Sequence, residues 1–152
     1  MEGVDGLALV SRWLHITAAM FAVGGAVLMR TSLFPASQEV LDEPTRKELH
    51  ATVTRRWKIV VHVAVTVLLL TGAFNFYWLA LKAKISPNPY HFIFGAKLIL
   101  ALFVISVTEI LIGRSPGTAP MRKNATVWLT RLIIAAALVV FVSGLLHAIR
   151  TA

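Results

Sequence analysis

The chemistry available to this chain resides in a few ionisable side chains set among apolar residues. His15, His62, Lys97, Glu109 and His147 each interrupt an otherwise hydrocarbon stretch, His91 lies at the edge of one, and His50 falls in a polar segment between two. Inside a membrane such a group is expensive, on the order of 3 kcal/mol or more, unless it finds a partner, so each is a site candidate. His15 and His147 share a pattern. Arg12 lies three residues outward from His15 and Arg150 three residues outward from His147, so each arginine is on its histidine's helical face and one turn nearer water. Two imidazoles backed by guanidinium groups suit haem b, with nitrogen ligands for iron and cations for the propionates. His91 and Lys97 enter the same half of the protein, and any of the three could be the second ligand. The competing explanation is that these groups are interfacial, bonded to a carbonyl or to water, and bind nothing.

A second polar level is formed by His62, about one and a half turns inside Trp57, and Glu109, a similar distance inside Arg114 on an antiparallel helix. If the two meet, they make a proton relay, half of a quinone pocket, or a polar pair that glues helices together, the plainest of the three. Arg131 is near this level but on the opposite helical face from His147, and it is given no role. Along the first helix His15, Ala18, Ala19, Ala22, Gly25 and Ala26 follow the i, i+3, i+4 spacing. Such a face admits a flat ligand, although close helix packing explains it as well.

The elements that must position these groups are membrane helices. The 152 residues are 57% hydrophobic and 14% charged, with a mean hydropathy of +0.76, too apolar for a water-soluble domain of this size. A span needs about 20 apolar residues, and four runs qualify: residues 8–29, 58–80, 92–113 and 126–148. The expected fold is all-α, a polytopic four-helix transmembrane bundle in one domain over residues 1–152. Trp13, Trp57, Trp78 and Trp128 fall near span ends, where an indole sits between headgroup and hydrocarbon. Asp42-Glu43-Pro44 reads as a helix start, so the second span is expected to begin outside the membrane. Ser86-Pro87-Asn88-Pro89 and Ser115-Pro116-Gly117 read as turn-rich breaks. The acidic start, with Glu2 and Asp5, lacks a signal-peptide pattern, and the first run reads as a signal-anchor span.

Charge sets the expected orientation. Ten lysines and arginines fall on the side of the first and third connections, against Arg12, Lys82, Lys84 and Arg150 on the side of the termini. The positive-inside rule then makes the basic side cytoplasmic and puts both termini on the non-cytoplasmic side of a bacterial-type inner membrane. It also accounts for the net charge of +8 without nucleic acid as a partner. The absence of cysteine excludes disulfides, thiolate metal sites, iron–sulfur clusters and covalent c-type haem. Glu109 is the only carboxylate in the spans, so no paired-carboxylate or activated-nucleophile arrangement suggests hydrolysis.

Trp13-Leu14-His15, Gly24-Gly25, Arg55-Arg56-Trp57, Thr71-Gly72 and Gly95-Ala96-Lys97-Leu98 resemble the small four-helix membrane superfamily of HemJ-type protoporphyrinogen oxidases and CopD-type copper-resistance proteins. The likeness runs over nearly the whole chain. On the HemJ side it implies haem b, a required histidine early in the first helix and a lysine early in the third, which match His15 and Lys97. His62, Glu109 and His147 are additional to that pattern. On the CopD side it implies copper movement across the inner membrane, although copper favours cysteine or clustered methionine and histidine, and Met1, Met20, Met29 and Met121 form no cluster. Three functions follow: a haem-binding electron-transfer protein or oxidoreductase acting with a quinone or porphyrin, a copper or other cation transporter, and an accessory subunit of a respiratory or photosynthetic complex. In each, the lipid bilayer is a partner, with other membrane subunits or further copies of the chain as possible neighbours.

Overall fold

In a computed structural model, the backbone is described for residues 6–82 and 87–151, and the side chains of 79–82, 87–91, 147 and 149–151 lie outside the described residues. The described chain is almost entirely helical, without strands: α1 (Gly6–Leu28), a π-helical turn (Met29–Leu33), α2 (Phe34–Val40), α3 (Glu43–Lys82), α4 (Pro87–Ile112), a 3-10 turn (Pro116–Thr118), α5 (Ala119–Lys123) and α6 (Ala125–Thr151). Four of the helical stretches are long and apolar enough to cross a membrane. A helix can do so because it satisfies its own backbone groups in the absence of water. Leu7, Trp13, Phe92, Ile99, Val140 and Phe141 face outward, as a lipid-solvated surface requires.

The helices outrun the apolar runs. α1 passes through the π turn into α2 without a break, giving one rod from Gly6 to Val40 where the hydrophobic run ends near Met29. Pro35 explains the π turn. Proline has no N–H to give to the turn before it and its ring crowds that turn's carbonyl. Widening the helix over Met29–Leu33, with the Phe34 N–H bonded to the Met29 carbonyl, absorbs both problems. Leu41 then adopts an extended conformation, and Asp42 starts α3. Its carbonyl accepts from the Arg46 N–H at 2.9 Å, and its carboxylate accepts a hydrogen bond from Thr45. α3 has 40 residues, or roughly 60 Å of helix, twice a hydrocarbon core of about 30 Å. Its first turns therefore project beyond the membrane beside α2. Ser37 joins the two: its hydroxyl donates to the Phe34 carbonyl at 2.9 Å and accepts from His50 Nε2 at 2.8 Å, while the Phe34 and His50 rings lie 4.7 Å apart.

Of the segment Ser86-Pro87-Asn88-Pro89, Ser86 lies outside the described residues and Pro87-Asn88-Pro89 stands where a new helix begins. This is the first turn of α4, where prolines leave no donor unpaired. Ser115-Pro116-Gly117 does interrupt the chain, as the 3-10 turn before α5.

α1 packs along α3 and α4 along α6, and the two pairs close a ring through lighter α1–α6 and α3–α4 seams. The core lies toward the basic end, where Ala26, Val107, Leu129 and Leu132 meet. Small residues set the close approaches: Ala18, Ala26, Ala64, Ala135 and Ala136 are all buried. Part of the small-residue face of α1 is thus taken up by helix packing, while Ala22 and Ala26 border a cavity. At Gly25 the Trp57 indole fills the space that a side chain would occupy. Trp57 is thus packed between α1 and α3, whereas Trp13 stands exposed and Trp128 carries the Arg131 guanidinium 4.8 Å above its ring. The α1–α6 seam is pinned where Arg30, in the π turn, donates to Thr130 Oγ1 at 3.1 Å. The α3–α4 seam carries a Phe76–Phe94 stack at 4.5 Å.

Candidate functional site

His15 is half-buried on the α1 face that meets α3, one helical turn inward from the buried Ser11. Its Nδ1 lies 2.8 Å from Thr71 Oγ1, and its ring rests on Gly72, where a methyl group would just touch Cε1 at 3.4 Å. The direction of the bond follows from counting hydrogens. The Thr71 hydroxyl has one, and it is directed at the Val67 carbonyl at 2.5 Å. Toward His15 the oxygen can only accept, so Nδ1 carries a hydrogen. In the neutral ring that leaves Nε2 with its lone pair in the ring plane, while the Leu68 backbone carbonyl also lies within hydrogen-bonding reach of the imidazole. Lys97 on α4 lies within electrostatic reach of the ring. The buried hydroxyl of Ser11 has no hydrogen-bond partner among the described residues.

The site thus joins α1, α3 and α4, and contains two of the residues singled out from the sequence, His15 and Lys97. Arg12 is exposed at the outer turn of α1. The side chains of His147, His91 and Arg150 lie outside the described residues. Thr71 was missed as a working residue. It stands 56 positions from His15, and the sequence showed it only as part of the Thr71-Gly72 motif of the resemblance, with no role attached.

His62 and Glu109 meet across the α3–α4 seam, Nε2 to Oε2 at 3.3 Å. His62 Nδ1 donates to the Lys58 carbonyl at 2.7 Å, since a carbonyl only accepts. The contact on the other nitrogen therefore needs one further proton, carried either as imidazolium against carboxylate or as carboxylic acid against imidazole. The two side chains remain 47% and 39% exposed, so this pair sits at the edge of the bundle and is not buried. Along α3 it is roughly 13 Å from Thr71, with Thr66 the only polar residue between. No group of three histidines and carboxylates able to hold a metal ion forms among the described residues.

Compared with family models, with curated proteins and with solved structures, the chain matches none.

Proposed function

We propose that the chain is a haem b-binding redox protein of the membrane, in which His15 would hold the haem through Nε2. The hydrogen bond from His15 Nδ1 to Thr71 carries this reading. Ligating imidazoles characteristically donate their other N–H to a fixed acceptor, which sets the tautomer, orients the ring and raises its basicity. Thr71, itself tied to α3, is such an acceptor. The likeness to the HemJ and CopD superfamily points the same way, with His15 and Lys97 in the positions where it implies a required histidine and lysine.

The donor chemistry of the residues present suits the group. An unprotonated imidazole nitrogen, the Lys97 ammonium on the neighbouring helix and the orphaned Ser11 hydroxyl give a nitrogen ligand and two donors for carboxylate oxygens. Haem b held there would supply one-electron chemistry. The chain's own part is to hold His15 through Thr71, to offer Lys97 to a propionate or to the carboxylate of a porphyrin substrate, and to keep water out with apolar helices. Arg12 lies one turn outward on α1 for a second anionic group, and His147, His91 or Lys97 would complete the ligand set. A quinone or porphyrin would exchange electrons with it, with the basic end of the bundle in the cytoplasm.

A reduced-minus-oxidised spectrum of purified protein tests the proposal. A Soret shift and an α band are expected, both lost in His15→Ala. A wild-type sample without them would end the haem reading, and an unchanged His15→Ala spectrum would move the ligand elsewhere.

Cation movement is the second reading, favoured by the polar pair at another depth, His62 with Glu109. Its weakness is the apolar stretch of α3 between the two levels. Cation uptake into proteoliposomes, reduced in Glu109→Gln, would support it over the haem reading.

A further inference from the structure

A cavity of about 590 Å³ opens between the helices at the basic end of the bundle, well away from His15. Its floor is hydrocarbon: Ala22, Ala26, Val61, Leu129 and Leu132 line it. Its rim is cationic. Arg55 and Lys58 come from α3, Arg114 follows α4, and Arg122 comes from α5, with no carboxylate among the lining residues. Arg122 is held in place by the loop, donating to Thr118 Oγ1 and, at 2.7 Å, to the Ser115 carbonyl. An excess of basic residues on one side of a membrane protein accounts for the number of cations there. It does not account for four of them converging from three segments on one apolar-floored space. Arg55 and Lys58 flank Trp57 at the start of the apolar part of α3, and Arg114 follows its end in α4, so the rim lies at headgroup level.

We infer that this cavity binds an anionic phospholipid, its phosphate among Arg55, Lys58, Arg114 and Arg122 and an acyl chain along the alanine and leucine floor. Like-charged side chains gathered without a carboxylate repel one another, and a phosphate relieves this with charge-assisted hydrogen bonds. The hydrocarbon floor selects a lipid over a soluble phosphate.

The test uses the full chain purified in a zwitterionic detergent and titrated with fluorescent phosphatidylglycerol. The expected result is saturable binding, about tenfold or more tighter than to phosphatidylcholine, and not displaced by inorganic phosphate. The triple variant Arg55→Gln, Lys58→Gln, Arg114→Gln alters exposed side chains and should weaken binding about tenfold or more. A matched triple, Arg46→Gln, Arg56→Gln, Lys123→Gln, removes the same charge from residues that do not line the cavity and should retain binding. Equal affinity for the two lipids, or equal loss in the two triples, would overturn the site as surface electrostatics. Displacement by inorganic phosphate would overturn the assignment to a lipid.

Discussion

Gly24 and Gly25 are adjacent in α1, yet the structure assigns opposite effects to the same substitution. A methyl on Gly24 meets nothing within 4 Å, whereas on Gly25 it would fall inside the Trp57 indole. Replacing glycine by alanine in a helix interior stabilises it by about 0.5–1 kcal/mol, and both variants receive that gain. Gly25→Ala must also displace a rigid bicyclic ring with only two rotatable bonds, an overpacking strain of about 1–3 kcal/mol. Gly24→Ala is therefore expected to be stabilised by about 0.5–1 kcal/mol. Gly25→Ala should lie about 1–3 kcal/mol below Gly24→Ala, a difference in which the shared helical gain cancels. Unfolding in mixed micelles by titration with a denaturing detergent, followed by circular dichroism, measures both. Trp57→Leu should relieve most of the Gly25→Ala loss, as an interaction energy between two residues in contact. Equal stability of the two alanine variants, or a Gly25→Ala loss unaltered by Trp57→Leu, would refute the packing of α1 on α3 described above.

Further expectations follow from single hydrogen bonds. Thr71→Val keeps the shape but removes the acceptor for His15 Nδ1–H, and should lower stability by about 1–3 kcal/mol; Thr71→Ser should not, and unfolding of the two variants side by side decides it. If haem is bound, the same valine variant should lose about 10–100-fold in haem affinity. Ser37→Ala removes the bridge between the Phe34 carbonyl and His50, so amide hydrogen exchange should accelerate over residues 34–41 while the spans hold their protection; uniform acceleration would contradict a local role. The Asp42 carboxyl is held below its ordinary value of 3.8, chiefly by the Thr45 side-chain hydrogen bond, then by backbone N–H groups, with Arg46 nearby adding least. A depressed carboxyl adds stability above its unfolded value and loses it as pH falls through the folded one. The first turn of α3 should therefore fray as pH drops below about 3.8, and Asp42→Asn should weaken that pH dependence in hydrogen exchange of residues 43–47, leaving the part due to Glu43, whose carboxyl is likewise lowered by Lys47.

Local signals carried most of the fold. Runs of about 20 apolar residues suffice to place four helices, and Asp42-Glu43-Pro44 states where α3 begins because a cap uses neighbouring residues only. The His62–Glu109 contact was legible from depth alone, as two antiparallel helices bring equal depths together. What escaped was set by tertiary position. The π turn depends on how a helix accommodates Pro35 with Arg30 reaching Thr130 on α6. Pro87 and Pro89 carry the same local chemistry in a turn and in a first helical turn, so composition could not separate the two. Thr71 acquires its role only because the α1–α3 packing sets it opposite His15, and the convergence of Arg55, Arg114 and Arg122 is a property of three segments that no one of them encodes.

The central claim is that Thr71 fixes the hydrogen of His15 on Nδ1 and leaves Nε2 free to bind. Nitrogen-15 NMR of histidine-labelled protein, freed of bound small molecules and held above neutral pH, reads this directly, with His15→Asn to assign the ring. The expected spectrum shows His15 Nδ1 protonated and Nε2 as an unprotonated, pyridine-type nitrogen, the order being lost in Thr71→Val. A ring found protonated on Nε2 in the wild type, or one indifferent to Thr71, would contradict the account.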